Sequence, residues 1–197
     1  MYKEHIKKLF DFMGAIIALI VLSPLLFVVY VILCITTKDS VIYHQQRVGQ
    51  YGVIFEIYKF RTLPTDTPIL VGEQRVKIRN RVSRFARFLR TTSIDELPQL
   101  INILKGDMSL IGPRPVVPQE TELVQLRQAS GALNVKPGLT GLAQVNGRKQ
   151  LKNIQKADFD AIYANHVTLL GDIMIILRTL PIIIERDGIR RFFGKKH

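Results

Sequence analysis

The sequence is poor in the side chains that build cross-links, metal cages and aromatic platforms. It contains one cysteine, no tryptophan and four histidines in 197 residues. A single cysteine, Cys34, excludes an internal disulfide, and the histidines are too scattered to form a metal-ligand pattern. No Walker A or G-x-G-x-x-G pattern occurs, and no aromatic-basic repeat of the RNA-binding kind. These absences exclude a disulfide scaffold, a zinc module and the common glycine-rich nucleotide loops.

Acidic residues are also scarce, 16 against 28 lysines and arginines, which gives a net charge of +12. At the same time 47% of the residues are hydrophobic, and they concentrate near the N-terminus. This combination is typical of a protein with an anionic partner: nucleic acid, a membrane surface or a phosphorylated substrate. Because the sequence offers neither a reading helix nor a stacking platform for bases, we predict no nucleic-acid partner.

The N-terminal apolar segment, residues 12–35, carries no charge. It is long enough to cross a bilayer as one helix and too long for the core of a signal peptide. Ser23 and Pro24 lie in its middle, where proline removes a helical hydrogen bond and kinks the helix. Each half, roughly 18 Å long, is too short to cross a hydrocarbon core about 30 Å thick.

Three arrangements of this segment stay open: a straight span, a kinked span, and a helix–break–helix that enters and leaves by the same face. In the last of these, the Ser23 hydroxyl can bond to a carbonyl that the break frees. Lysines on both sides of the segment favour this arrangement, because positive charge stays on the cytoplasmic side. They are Lys3, Lys7, Lys8 and Lys38.

Two short runs rich in Val, Ile, Tyr and Phe, residues 41–46 and 53–60, predict a β-hairpin around a turn at residues 47–52. Lys59 and Arg61 are two residues apart at its end, so they can project to the same side. A basic stretch, residues 75–90, follows a loop, and its apolar residues recur at helical spacing. Its arginines Arg84, Arg87 and Arg90 share a neighbouring face, which suits an anionic membrane, and Arg90 is also placed to reach substrate phosphates.

Two adjacent carboxylates, Asp95 and Glu96, occupy the segment 92–100 at what reads as a helix start. Pro98 is tolerated best in a first turn, so we place the start near Asp95 rather than at the Ser93-x-x-Glu96 capping box that the sequence also offers. In either case the helix dipole and free amides stabilise negative charge there and attract phosphate. A carboxylate pair beside arginines therefore predicts chemistry on a phosphate.

The segments after the pair add one arginine and a glycine-rich loop. Arg114 lies in a rigid Gly-Pro-Arg-Pro turn, and its planar fork suits phosphate oxygens. The loop at residues 134–148 has three glycines, and its amides could cradle a phosphate. Two further helices are predicted, at residues 156–166 and, with an apolar stripe that is either core or interfacial, at 169–184.

These motifs together resemble a known family. The chain is similar over nearly its whole length to the bacterial sugar transferases, the monotopic polyprenol-phosphate phosphoglycosyltransferases, and looks like their minimal catalytic form. The matching segments are Ser23-Pro24, Tyr58-Lys59-Phe60-Arg61-Thr62, residues 92–100, Gly106-Asp107-Met108-Ser109, Gly112-Pro113-Arg114-Pro115 and residues 137–148.

The resemblance implies an α+β fold that is mainly helical, with a small β-hairpin and amphipathic interfacial helices around a cytoplasmic active site. Residues 1–36 are expected to form a re-entrant membrane helix–break–helix, with Ser23 and Pro24 as its hinge. Residues 37–197 are expected to form the cytoplasmic catalytic domain with its interfacial helices. The expected location is the bacterial inner (cytoplasmic) membrane, with the catalytic domain on the cytoplasmic face.

The resemblance also implies a reaction: transfer of a sugar 1-phosphate from a UDP-sugar to polyprenol (undecaprenyl) phosphate, with release of UMP and a need for Mg²⁺. Asp95 is then the nucleophile, which forms a covalent phosphosugar intermediate, and a metal ligand. Glu96 is the expected proton acceptor or positioning group. The substrate-binding residues are expected to be Lys59, Arg61, Arg90, Arg114, Arg148 and, near the active site, Asp160.

The sequence departs from the family pattern in two places. Leu63 stands where many members have methionine, and residues 78–84 follow the usual Asp-Pro-Arg stretch only loosely; both bear on the sugar-side pocket. The competing hypothesis is a non-enzymatic peripheral membrane protein that binds anionic lipid through basic helices. Under that hypothesis Arg84 and Arg87 hold the chain to the membrane, and Asp95 has no function.

Overall fold

The structure, a computed structural model, describes residues 2–37, 39–64, 67, 82–147 and 150–184. Most of these residues are helical. The helices are α1 (Lys7–Thr36), α2 (Arg84–Thr92), α3 (Leu100–Lys105), α4 (Thr121–Ala129), α5 (Leu142–Val145), α6 (Asn153–Asn165) and α7 (Leu169–Ile184). The strands are β1 (Ile42–Val48), β2 (Ile54–Phe60), β3 (Ser109–Ile111) and β4 (Gly138–Thr140). This arrangement agrees with the predicted α+β class. Lys38, residues 75–81 of the predicted basic helix and the predicted ligand Arg148 lie outside the described residues.

Helix α1 runs without interruption through Pro24, so the predicted helix–break–helix is one continuous helix. An amide at position 24 would bond to the carbonyl four residues earlier, that of Ile20. The Ser23 hydroxyl donates to this carbonyl at 2.8 Å in its place, which confirms the predicted hydrogen bond of Ser23 and explains how the helix continues past the proline. By length and composition alone, α1 is the one described helix that could cross a membrane.

Both halves of α1 pack against the folded remainder of the chain. Ala15, in the first half, belongs to a buried cluster with Leu100 and Met108. Val29 and Leu33, in the second half, belong to another cluster that contains the end of the hairpin and α2. The middle of the helix makes little contact, and Ile20, Val21 and Phe27 are each more than two-thirds exposed there.

Strands β1 and β2 form the predicted antiparallel hairpin, with Ile42 opposite Phe60 and Val48 opposite Ile54. A buried asparagine on α3 fixes this hairpin to the rest of the fold. The side chain of Asn102 accepts a hydrogen bond from the Tyr58 amide at 3.0 Å and donates to the Glu56 carbonyl at 2.7 Å. These bonds fix the position of the middle of β2 beside the carboxylate pair.

The glycine-rich loop forms a strand rather than a phosphate cradle. Its β4 pairs in parallel with β3, and the amide of Gly138 donates to the Pro113 carbonyl at 2.9 Å. A side chain at Gly112 would come within 2.3 Å of the Lys136 carbonyl oxygen, and one at Gly138 within 2.0 Å of the Gly112 amide nitrogen. Glycine is therefore needed here because two backbones touch, and the contact fixes the turn that carries Arg114.

A buried polar cluster joins the two ends of the chain. Asp172 of α7 accepts hydrogen bonds from the Tyr2 and Tyr163 hydroxyls at 2.7 and 2.8 Å and forms an ion pair with Lys7 at 2.9 Å. Buried charge is tolerated when it is paired in this way. The outer side of α7 is different, because its apolar residues are exposed: Leu169, Leu170, Ile173, Met174, Leu177 and Leu180. The stripe predicted on this helix consists of Leu169, Leu170, Ile173, Ile176, Leu177 and Leu180. Only Ile176 of these is partly buried, so the stripe is mostly surface rather than core.

Candidate active site

The carboxylate pair lies in the first turn of a 3₁₀ helix, Ile94–Gln99, that continues directly into α3. The helix begins at Ile94 with Ser93 at its N-cap position, two residues before Asp95, so the prediction that placed the N-cap near Asp95 rather than at Ser93 is wrong. Ser93 precedes it in the left-handed conformation, with φ at 60°, and its side chain makes no capping hydrogen bond to the helix. Pro98 falls deeper in the helix than we predicted, within the 3₁₀ segment. Both carboxylates nevertheless lie at the amino end, where backbone amides favour negative charge.

Glu96 is held by two cations from different parts of the chain. Lys59 on β2 donates to Oε1 at 3.1 Å, and Arg114 binds both oxygens, with Nη1 3.1 Å from Oε2 and Nη2 on Oε1. Burial alone would raise the pKa of Glu96, but Arg114 and Lys59 hold it well below its usual range. Glu96 is therefore an ionised anchor that fixes the directions of Lys59 and Arg114.

Asp95 lies in a different environment from its neighbour. Burial, together with the negative charge of Glu96, raises the pKa of Asp95 to about 6, while Lys59, Arg90 and Arg114 lower it in part. The two hydrogen-bonding cations, Lys59 and Arg114, bind Glu96 rather than Asp95. Two adjacent carboxylates with pKa values pushed apart are typical of a site that gives each a separate role.

Arg61 does not join Lys59 at the pair. Its guanidinium donates to the Ser40 carbonyl at 2.7 Å and to the Ser40 hydroxyl at 2.8 Å, and it lies over the Tyr43 ring. Because Lys59 and Arg61 are two residues apart, we predicted that both cations project to the same side of the strand. Since β2 ends at Phe60, Arg61 lies just beyond the ladder and closes the end of the hairpin instead.

Asp160 also differs from its prediction, because its carboxylate is 1% exposed and faces a buried arginine. Arg127 of α4 donates to Asp160 Oδ2 through Nε at 2.9 Å and through Nη2 at 2.6 Å. The third nitrogen of the same guanidinium donates to the backbone carbonyl of Arg114 at 2.8 Å. Asp160 thus lies behind the site and supports the turn that presents Arg114, rather than a surface that a substrate could reach.

We expect Arg127→Lys to lower turnover about 10- to 100-fold, since small displacements of catalytic groups have effects of this size. A lysine keeps the charge beside Asp160 but cannot bond to Asp160 and the Arg114 carbonyl through a planar fork. The measurement is the initial reaction rate together with the thermal unfolding midpoint. Arg178→Lys, at an exposed arginine that bonds to Asn146, is the matched control. Unchanged turnover in Arg127→Lys would contradict the supporting role.

The described residues contain no cluster of three or more His, Cys, Asp or Glu side chains that could hold a metal ion alone. Magnesium is commonly bound by one or two carboxylates and completed by substrate phosphates and water. Asp95, at the amino end of its helix and not clamped by Lys59 or Arg114, suits that mode. The residues present therefore fit a magnesium ion that arrives with a phosphorylated substrate.

Comparison with known proteins gives these contacts a context. A family model described as "Bacterial sugar transferase" matches residues 2–186. The chain belongs to the bacterial sugar transferase family. This membership confirms the resemblance inferred from the motifs, and it favours an enzyme over the non-enzymatic lipid-binding alternative.

Curated relatives of this sugar transferase include proteins with named activities. It is 39% identical to the undecaprenyl-phosphate galactose phosphotransferase of Salmonella typhimurium, over 94% of this chain but 42% of that protein. It is 38% identical to the exopolysaccharide production protein ExoY of Sinorhizobium fredii, over 92% of this chain and 87% of that protein. It is 35% identical to the UDP-glucose:undecaprenyl-phosphate glucose-1-phosphate transferase of Caulobacter vibrioides, over 92% and 71%. The chain thus spans less than half of the first relative and most of the other two.

Sequence reasoning missed Arg127 and Asn102 as parts of this sugar transferase's site. Both act on backbone groups: Arg127 on the turn of Arg114, and Asn102 on the strand of Lys59. A lone arginine or asparagine in a helix has no pattern that reveals such a bond. The one available signal was that each lies on an otherwise apolar, inward helix face.

Proposed function

We propose that this transferase moves a sugar 1-phosphate from a UDP-sugar to polyprenol (undecaprenyl) phosphate, with release of UMP. The observation that carries this proposal is the divided carboxylate pair, in which Glu96 fixes two cations while Asp95 is left beside them with a raised pKa. Lys59 and Arg114 suit the oxygens of a diphosphate. The names of the Salmonella and Caulobacter relatives, which specify undecaprenyl phosphate as acceptor, support the same reaction.

The reaction proceeds in two displacements at one phosphorus atom. A carboxylate oxygen of Asp95 attacks the phosphorus next to the sugar, the bond to the bridging oxygen breaks, and UMP leaves with the electron pair. An oxygen of the polyprenol phosphate then attacks the same phosphorus, and the Asp95 carboxylate is released. The product is a polyprenol diphosphate sugar. Nucleophilic catalysis of this kind divides one difficult transfer into two easier ones.

Glu96 acts in this scheme as a positioning group rather than a proton acceptor. Its pKa lies well below the usual range because of Arg114 and Lys59, so it is a weak base. The attacking lipid phosphate has little need for a base, since a phosphate monoester with a second pKa near about 6 is mostly dianionic at neutral pH. Asp95 would hold a magnesium ion, which would supply neutralisation of the diphosphate charge when bound.

The packing of α1 supports a placement of both its ends on one side of the membrane. A straight span carries its two ends to opposite sides of the bilayer. Here Ala15 in one half and Val29 in the other pack on the same folded unit, while the apolar middle around Pro24 is exposed. Proline kinks helices, and we therefore propose that α1 bends at Pro24 while remaining helical, so that it enters and leaves by the cytoplasmic face of the inner membrane. The exposed apolar side of α7 then rests on the same surface.

A panel of UDP-sugars tests the proposed reaction. The purified transferase is mixed with undecaprenyl phosphate and Mg²⁺, and UMP release is followed for each sugar. We expect release with at least one sugar, dependent on magnesium, and a lipid product that carries that sugar. Absence of UMP release with every member of the panel would contradict the proposal.

The pH dependence of the donor step offers a second test. Attack needs the ionised carboxylate, and the pKa of Asp95 is raised from the ordinary 3.8 to about 6. At subsaturating Mg²⁺, where Asp95 is mostly not bound to the ion, the rate of UMP release without acceptor should therefore fall towards tenfold per pH unit below about pH 6 and be level above it. The lipid phosphate is omitted because its own ionisation, also at about pH 6, would otherwise change the rate over the same pH range. A fall that begins only near pH 4 would contradict a raised pKa at the nucleophile.

Cysteine labelling tests the membrane placement. In a Cys34→Ser background, single cysteines at Lys3 and Ser40 mark the two ends of α1. We expect an impermeant maleimide to label both in inverted vesicles and neither in intact spheroplasts. Labelling of the two ends from opposite sides would show a full span.

A further inference from the structure

An apolar cavity of about 280 Å³ lies between the carboxylate helix and α7. Glu96 and Ser93 line one side, Leu110, Leu139 and Val145 form a wall, and Ile176 and Ile182 of α7 close the other side. The cavity is partly open to solvent and adjoins the carboxylate pair, so it is accessible to a substrate that reacts there. It is just below the roughly 300–1,000 Å³ of pockets that enclose a whole drug-sized ligand, so it fits a segment of a substrate.

Most hydroxyl and amide groups around the cavity already have a hydrogen-bond partner within the protein. The hydroxyls of Thr140 and Thr179 are bonded at 2.8 Å, and the Thr92 hydroxyl donates to the Phe88 carbonyl at 2.9 Å. The Gln144 amide nitrogen donates to the Leu139 carbonyl at 3.0 Å, while the Gln144 side-chain oxygen is buried against Gly141 without a hydrogen-bond partner. A sugar ring needs partners for its hydroxyls, and such partners are few here.

The position of the cavity also favours a hydrocarbon chain. Its far wall is the inner side of α7, and the outer side of that helix carries exposed apolar residues such as Leu170, Met174 and Leu177. A single helix therefore separates the cavity from an apolar surface of the protein. At the opposite end stands Glu96, the neighbour of the proposed nucleophile.

We propose that this cavity holds the isoprene units next to the phosphate of the polyprenyl acceptor, so that apolar packing directs the lipid phosphate towards Asp95. The inference rests on the proposed function and adds the site of one of its two substrates. In this proposal, Leu139 and Val145 contribute to acceptor specificity without contacting the reacting atoms.

Filling the cavity should separate the two substrates kinetically. In Leu139→Phe, the larger side chain should exclude the isoprene units of the acceptor from the apolar cavity. The KM for the acceptor should therefore rise about tenfold or more, while the KM for the donor stays within about twofold. Leu126→Phe, at a leucine of similar partial burial in another cluster, is the matched control and should change neither constant. An increase in donor KM or a changed sugar preference would identify a sugar pocket and overturn the proposal. Unchanged constants would overturn it as well.

Protection from alkylation keeps the proposal testable if Leu139→Phe does not fold, and it needs no turnover. In a Cys34→Ser background, Val145→Cys should react with a maleimide more slowly when undecaprenyl phosphate is present. Phosphatidylglycerol and the UDP-sugars should give no protection, and Ile154→Cys, which is exposed on α6, should be insensitive to all of them. Protection by UDP-sugars, or none by undecaprenyl phosphate, would refute the lipid site. Failure of the proposed function would be recognised separately, because the wild-type protein would then release no UMP.

Discussion

Asp95→Asn is expected to reduce transfer by about 10⁴-fold or more, the size of loss seen when a catalytic nucleophile is removed. The amide has nearly the same shape as the carboxylate but cannot attack phosphorus. The burial that raises the pKa of Asp95 penalises its charge, so a neutral amide is tolerated there and the fold is expected to persist. The measurement is UMP release under single-turnover conditions, which detects slow residual reaction.

The matched control is Asp158→Asn, at an exposed aspartate on α6. It should keep full activity. Membrane association of Asp95→Asn should also equal that of the wild-type protein, because the membrane contacts proposed for α1 and α7 do not involve this carboxylate. Near-normal turnover in Asp95→Asn would remove the covalent mechanism and leave only direct transfer between the two substrates.

Glu96→Gln is expected to lower kcat about 10²- to 10³-fold without weakening donor binding, since an interaction that orients charge acts on the transition state. The amide cannot satisfy both Lys59 and Arg114, which now share the anion. The site becomes more positive by one charge, so the donor KM should be unchanged or lower. The two constants come from initial rates at varied UDP-sugar concentration and saturating acceptor.

A second readout distinguishes this role from simple destabilisation. The negative charge of Glu96 contributes to the raised pKa of Asp95, so its removal should move the pH fall of the donor step below 6. Glu56→Gln, at a 59% exposed glutamate on the neighbouring strand, is the control and should leave the profile in place. A Glu96→Gln enzyme with a raised donor KM and an unchanged pH profile would contradict the anchoring role.

Local patterns predicted the features that depend on neighbours in the chain. Two short runs rich in Val, Ile, Tyr and Phe on either side of a turn predicted the hairpin, and the adjacent carboxylates predicted a helix start in this segment, although Pro98 placed the N-cap two residues too late. Ser23 was predicted to bond to a carbonyl freed by Pro24, and it does so through Ile20. Each of these rests on backbone chemistry that a short segment determines by itself.

Features that depend on distant partners were not predictable in the same way. Asp160 was expected to face the substrate, but Arg127 lies thirty-three residues away in sequence and neutralises it in the interior. The amides of the glycine-rich loop could cradle a phosphate on sequence grounds, but Gly138 and Gly141 lie so close to the backbone of Gly112 that no side chain fits there. Lys59 and Arg61 are two residues apart, which predicts that they project to the same side. Because β2 ends between them, Lys59 instead binds Glu96 and Arg61 binds Ser40.

The most direct test of the account is the mass of the protein after exposure to donor alone. The transferase is incubated with its UDP-sugar and Mg²⁺ in the absence of polyprenol phosphate, quenched in acid and digested. We predict one equivalent of UMP and a peptide containing Asp95 that is heavier by one sugar phosphate, with both lost in Asp95→Asn. UMP release that requires the acceptor, with no modified peptide, would contradict Asp95 as the group that carries the sugar phosphate.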